Sequence, residues 1–401
     1  MNMYKIVTCR ILFIGILLQL CGCKVQQKKD EYSIKIFVNK GVIQDEQKVD
    51  CIINLENAKG TQTVKGGIEF RGSSSRHYPK KSYTIKFKNN KKVNWQGLGI
   101  MGDWVLYAPY ADRSCIRNTI AEYLFKKMGH YSTSSIFTKL YINNEYMGLY
   151  ELREKIDLDK PGLKDALGIL KIDKTTGKKK QKAASILSPE VSILEHDLSK
   201  GITFETTFKS MQQFENALRD TTADINKFAD INSLVDYFIF SEFANSPDAY
   251  RSSCYFQVNK DSRIAMGPVW DYDLAFGNST LYRGQNYNGW RYLISEKKSP
   301  YYTEAPIWWS LLFKRASFKK MVIHRWEQLR QSSFSNHRLN ILVDSIAQSI
   351  QPSLEDNFNK WPVIGRQVQW AAPPQKSYQG ELDYLRQWMV KRAQWMDEAL
   401  R

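Results

Sequence analysis

Residues 231–278 read INSLVDYFIFSEFANSPDAYRSSCYFQVNKDSRIAMGPVWDYDLAFGN. Ile231, Leu234, Val235, Phe238, Ile239 and Phe243 recur with the 3.6-residue period of a helix, and Asp230 stands at the position of an N-cap. Residues 254–258 and 264–269 flank the turn residues Lys260, Asp261 and Ser262 and predict a hairpin. Asp248 falls just after the helix, while Asp271 and Asp273 follow the second strand. The residue before a hairpin and the residue after it lie at the same end. The stretch therefore folds back on itself and turns these carboxylates toward one site.

Converging carboxylates suit a hard divalent cation. Mg²⁺ takes a few carboxylate oxygens and leaves its other positions to water and phosphate. A carboxylate beside such an ion can orient a hydroxyl nucleophile and accept its proton. The competing reading is that each Asp caps a turn, a common use of Asp. Their grouping beside Trp270 and Gly277 favours a site.

Working outward, strand-like alternation begins at residues 32–38 and recurs at 49–55, 65–70 and 82–87. A helix is predicted over 116–128, stopped by Gly129, and a hairpin over 137–142 and 146–152. Region 32–156 is thus a β-rich first part, and 157–203 reads as an irregular, lysine-rich insertion. Region 204–401 reads as the second part, helical at 204–218, at 231–243 and beyond 303. The expected class is α+β, with a cleft between two lobes. Tryptophans at 308, 309, 326, 361, 370, 388 and 395 sit mostly within helical patterns and read as core.

Two features of the first part bear on a site. The turn Arg71-Gly72-Ser73-Ser74-Ser75-Arg76 offers backbone N–H groups to a phosphate, although the Gly-Lys-Ser/Thr ending of a Walker A loop is missing. Lys81 shares the parity of Tyr83, Ile85 and Phe87, so it is expected to point inward and to need an anionic partner. A nucleotide phosphate, Glu151 or Glu154 would serve.

At the N-terminus, Lys5 and Arg10 precede an apolar run over 11–20, the pattern of a secretory signal in residues 1–22. That run is short for a membrane span. Leu20-Cys21-Gly22-Cys23 resembles a bacterial lipobox, which would place a lipid on Cys23, followed by a tether over 23–31. An ordinary signal peptide or an uncleaved anchor are the alternatives. Export to the bacterial cell envelope and lipid anchoring to a membrane are the expectation.

Composition narrows the classes. Of 401 residues, 43% are hydrophobic and 13% aromatic, which excludes disorder for most of the chain. Neither a short repeat nor a sustained heptad is present, and one N-terminal apolar run excludes a multi-pass membrane protein. Loss of residues 1–22 would lower the net charge from +17 to +15 by removing Lys5 and Arg10. The densest basic block, KIDKTTGKKKQK at 171–182, reads as a solvated loop, with an acidic partner or anionic lipid as the lesser reading. No nucleic-acid-binding signature accompanies the charge, so nucleic acid is not expected as a partner. Cys51, Cys115 and Cys254 are too few for a disulfide framework and lack zinc-ligand spacing.

The segments FRGSSSRHYPKKSYTIKF (70–87), DWVLYAPYADRSCIRNTIAEYLFKKMG (103–129) and KLYINNEYMGLYELREKID (139–157) are similar to those of a known family. So are DYFIFSEFANSPDAY (236–250) and GPVWDYDLAFGN (267–278), in the same order and spacing. On these residues the chain resembles the CotH (spore coat protein H) kinase-like family over most of its length. The resemblance implies an atypical, two-lobed protein-kinase-like fold. It also implies transfer of phosphate from ATP to Ser/Thr of a protein, with Mg²⁺ or Mn²⁺, outside the cytoplasm. Asp248, in Asn-x-x-Asp, would be the catalytic aspartate. Asp271, in Trp-Asp-x-Asp, would hold the metal with Asp273 as helper. Lys81 would reach the ATP phosphates, and Arg71 and Glu154 match further characteristic positions. The His-Arg-Asp signature of ordinary kinases is absent. Two other classes compete: a non-catalytic surface or adhesion protein on this scaffold, and a metal-dependent enzyme of surface glycans or phosphoesters.

Overall fold

Alternation of apolar and polar residues builds the first part. The computed structural model describes residues 32–39, 41–45, 47–95, 98, 100–174 and 182–401. The expected signal, Cys23, the tether and residues 175–181 of the lysine block lie outside the described residues. The order is β1 (Ser33–Val38), β2 (Val49–Asn57), β3 (Gly60–Arg71), β4 (Ser82–Phe87), β5 (Val93–Asn94), β6 (Ile100–Met101), β7 (Asp103–Tyr107), helix α1 (Arg117–Lys127), β8 (Ser135–Ile142) and β9 (Glu145–Glu154).

Strands β1-β2-β3-β4-β7-β9-β8 close into a barrel, and parallel pairing of β1 with β8 completes the ring. Alternate side chains point inward. Ile34, Ile53, Ile68, Ile85, Leu106 and Leu152 are fully enclosed there. Each such burial stabilises by about 1.5–3 kcal/mol relative to exposure. Asn143 and Asn144, both at positive φ, make the tight turn of the β8–β9 hairpin.

The second sheet corrects the expectation for 157–203. That region contains β10 (Ala166–Ile172), β11 (Ala183–Ala184) and β12 (Ser192–Leu198). After α2 (Phe204–Arg219) and α3 (Ile231–Ala244) come β13 (Cys254–Asn259) and β14 (Ile264–Met266), giving the order β11-β12-β10-β13-β14. β10 is the central strand, so it is integral and not inserted. Its run ALGILKI has buried residues on both faces, which erases the period-2 signal. The expected hairpin is present, with Phe256 opposite Met266.

Helix α3 is buried nearly all round. Asp230 accepts hydrogen bonds from the Asn232 and Ser233 amides (3.1 and 3.3 Å), a cap that stabilises by about 1 kcal/mol. Left-handed Asn245 (φ 46°) ends it. Around it pack α4 (Trp308–Phe313), α5 (Ala316–Arg330), α6 (Asn336–Lys360) and α7 (Tyr378–Ala399). Trp308, Trp309, Trp326 and Trp388 are buried in this core. Among the described residues no helix is long and apolar enough to cross a membrane.

The end of α6 grips the barrel. Trp361 Nε1 donates to the Met147 carbonyl (2.7 Å), and Asn357 Oδ1 accepts from the Leu149 amide (3.1 Å). Gly148 has φ +114°, and a Cβ there would come within 2.9 Å of Trp361, so glycine is required. The α+β class holds, with helices gathered beside the two sheets.

Candidate functional site

A cavity of about 610 Å³ lies between the outer face of the barrel and the second sheet. That volume is ordinary for a small-molecule site. The ladders set Arg71 opposite Ser82, Glu69 opposite Thr84, Thr84 opposite Val105 and Val105 opposite Arg153. These side chains share one face and form the barrel wall of the cavity. The apolar residues between them point the other way, into the barrel.

The facing wall carries Asp248, Asp271 and Asp273. Asp248 sits in the turn that α3 throws off after Asn245, and its Oδ1 accepts from Arg251 Nη1 (3.0 Å). Asp271 follows Trp270 and holds a left-handed backbone, φ 70°. For a non-glycine residue that conformation costs on the order of 1–3 kcal/mol, and such strain concentrates at functional positions. Asp273 Oδ2 accepts from the Tyr107 hydroxyl (2.9 Å), which ties this wall to the barrel.

Burial and mutual repulsion both act on the carboxylates of this wall. Desolvation raises the Asp271 pKa, and nearby Asp248 raises it further, against Arg153, Lys171 and Arg71. The Asp273 carboxyl is pushed up to about 8, first by burial and then by Asp271. Carboxylates in such a place gain from a cation. Among the described residues, however, no group of three His, Cys, Asp or Glu is arranged to hold a metal.

Cations line the same space. Trp270 contacts two guanidiniums, with Arg71 5.5 Å and Arg153 4.7 Å from its ring. Arg153 is held from behind by Glu122 and by Glu151 at 3.5 Å. Lys171, at the end of β10, pairs with Asp173 and stands over the Tyr255 ring at 5.3 Å. Burial opposes its charge, but Tyr255 and Asp173 outweigh that and raise its pKa. Gly72, Ser73, Ser75 and Arg76 of the glycine-serine turn also border the cavity.

Two of the expected site residues lie elsewhere. Lys81 is half-buried, does not line the cavity, and donates to the Arg76 carbonyl. The inference from parity was sound about the strand and wrong about the site. The apolar face of β4 looks into the barrel, and the cavity lies behind the opposite face. The deeply buried lysine is Lys80, whose Nζ donates to the Leu149 carbonyl (2.6 Å) and Asn357 Oδ1 (2.8 Å). Glu154 shares the inward parity of Leu152. It accepts from the Ser134 amide (2.9 Å) and Lys160 Nζ (3.2 Å), away from the cavity. Cys23 lies outside the described residues.

The sequence reading missed Arg153, Lys171 and Arg251. Arg153 was legible: Glu151 and Arg153 alternate with Tyr150 and Leu152, which marks a charged outer face on a buried strand. Lys171 was hidden with its strand. A Gly-x-Gly-x-x-Gly spacing at 97–102 also escaped notice. Of it, Gly102 is described and is not part of the cavity lining.

No curated protein matches the chain. A family model described as CotH kinase protein matches residues 68–396, from within β3 to near the end of α7. That span covers most of the sequence and contains every cavity-lining residue, so the chain belongs to the CotH kinase protein family.

Proposed function

We propose that the protein is a kinase that transfers the γ-phosphate of ATP to a Ser or Thr hydroxyl of a protein. The observation that carries this reading is the convergence of two charge sets on one cavity: Asp248, Asp271 and Asp273 on one wall, Arg71 and Arg153 on the barrel wall facing them, and Lys171 of β10 beside the carboxylates. Asp271 and Asp273 would hold Mg²⁺ or Mn²⁺ delivered with ATP. Bound there, the ion supplies charge neutralisation and alignment of the phosphates. Arg71, Arg153 and Lys171 neutralise the remaining phosphate charge, and the guanidiniums stay oriented by stacking on Trp270. Asp248 orients the acceptor hydroxyl and takes its proton as the new P–O bond forms and the bond to ADP breaks. Water is displaced by the walls, which strengthens each of these interactions. Lys81 and Glu154 take no part in this scheme.

The kinase-like fold is part of the same proposal, supported by a barrel, a helical part and a cleft between them. Action outside the cytoplasm, anchored to a membrane of the cell envelope through a lipid on Cys23, rests on the leader sequence at residues 1–23. The test is phosphate transfer by residues 24–401 with ATP and Mg²⁺ or Mn²⁺, on the protein itself and an added Ser-rich peptide, read by mass. Transfer that disappears in Asp271→Ala supports the reading. Transfer that persists in that variant contradicts it.

A further inference from the structure

One side chain, Arg251, ties the segment 279–307 to Asp248 itself. Arg251 borders the cavity, yet its side chain is only 4% exposed. Its Nη1 donates to Asp248 Oδ1 at 3.0 Å, and its Nη2 pairs with Glu304 Oε2. Its guanidinium lies 4.5 Å from the Tyr282 ring. Tyr282 in turn donates its hydroxyl to the same Glu304 oxygen (2.8 Å) and meets Tyr301 edge-on at 4.5 Å. Arg251, Tyr282 and Glu304 form a closed triangle of contacts, and Asp248 joins it through Arg251.

Below them the same two segments are joined again. Arg291 Nε donates to Asn245 Oδ1 (2.8 Å), and Asn245 Nδ2 donates to the Asn286 carbonyl (2.8 Å). Glu242 accepts from the Arg291 and Tyr292 amides (2.6 and 2.8 Å) and from the Tyr250 hydroxyl (3.0 Å). This lower joint keeps the segment docked whatever Arg251 does. The upper joint therefore has a different effect: it fixes the direction of one carboxylate. Asp248 lines the cavity with Arg251 on its Oδ1, which leaves Oδ2 for another partner.

We propose that Arg251 is a positioning residue for Asp248. It holds one carboxylate oxygen so that the other meets the acceptor hydroxyl, and it makes Tyr282 and Glu304 the acceptor-side wall. The inference rests on the kinase reading above. It assigns the acceptor polypeptide to the side of Tyr282, Tyr301 and Glu304, and the nucleotide to the side of Arg71, Arg153 and Trp270. Tyr301 is exposed there, and so is Tyr302 beside it, so an extended chain bearing the hydroxyl has an aromatic surface to lie on.

The experiment compares wild type, Arg251→Gln, Arg251→Lys and Glu304→Gln in the 24–401 protein. It measures kcat, the KM of a Ser-rich acceptor peptide, the KM of ATP, and amide hydrogen exchange. Loss of orientation should lower kcat of Arg251→Gln about ten- to a hundredfold. It should also raise the peptide KM and leave the ATP KM within about twofold, because charges on the nucleotide side are untouched. Arg251→Lys should recover part of kcat, since an ammonium reaches one oxygen without the fork. Glu304→Gln should act mainly on the peptide KM. Hydrogen exchange should rise at 281–284 and 300–304 in Arg251→Gln, and stay as in wild type for 242–246 and for 286–292, which the lower joint holds. An active wild type with unchanged kcat and peptide KM in Arg251→Gln overturns this inference alone. So does an equal rise in both KM values, or an exchange pattern like that of wild type. A wild type that transfers no phosphate overturns the kinase reading and the role of Arg251 with it.

Discussion

The two faces of the barrel wall obey opposite rules. Along β9, Tyr150 and Leu152 point into a dry interior, while Glu151 and Arg153 point into the cavity wall. The inner face gains stability from every side chain it encloses. The outer face buries charges that only hold one another. Arg153 sits among Glu122, Glu151 and Trp270, and from the facing wall Asp273, its carboxyl raised to about 8, accepts from Tyr107. Under the proposed function, a ligand whose charges complete this surface would offset that cost. The stretch of chain is the same, and the side chain's parity decides which task it serves.

The contrast breaks most visibly at Asp271. Replacing it with Asn should cut phosphate transfer by about a thousandfold or more, as loss of a charge-holding group in phosphoryl transfer does. Thermal unfolding without nucleotide should improve slightly, because a repelled carboxylate is gone. A variant that is both active and less stable would place Asp271 with the structural face.

Arg153→Ala should behave otherwise. It leaves Glu122 and Glu151 without their cation and should destabilise by about 3–5 kcal/mol in urea unfolding. On the inner face, Ile85→Ala should cost about 2–5 kcal/mol from cavity formation alone, with the ATP KM of the surviving folded fraction unchanged. A loss of ATP affinity in Ile85→Ala that exceeds its loss of folded protein would show that the two faces are not separate.

Lys80 sharpens the comparison, because it is a buried cation outside the cavity, held between β9 and α6. Burial lowers its pKa to about 8. The native state therefore releases this proton before the unfolded chain does. Between pH about 8 and about 10.4 the unfolded state binds more protons, so stability rises with pH across that window. Below it the cost is full, at most about 3 kcal/mol. Lys80→Met should remove the rise, as read by urea unfolding at a series of pH values. The smallest effect expected is that of Lys81→Ala, with transfer and ATP KM within about twofold of wild type. A large loss of ATP affinity there would return Lys81 to the site.

The sequence carried much of this arrangement. The α3 period, its Asp230 cap and the hairpin that returns Asp271 toward Asp248 were all readable, because local spacing determines them. The barrel strands were readable from alternation, but their closure by β1 against β8 was not, since parallel pairing leaves no local mark. β10 was lost because burial on both faces removes the alternation. Lys81 was misassigned because parity tells which residues share a face and not what lies beyond it. Arg251, Glu304 and Tyr282 come together only through the folding of 279–307 onto the α3 loop, which no spacing reveals.

The most direct test of the central claim is a crystal structure of residues 24–401 with a non-hydrolysable ATP analogue and Mg²⁺. The account predicts the triphosphate in the cavity on the barrel's outer face, with Arg71, Arg153 and Lys171 around it and the ion on Asp271 and Asp273. A nucleotide bound elsewhere, or a cavity left empty at saturating analogue, would contradict it.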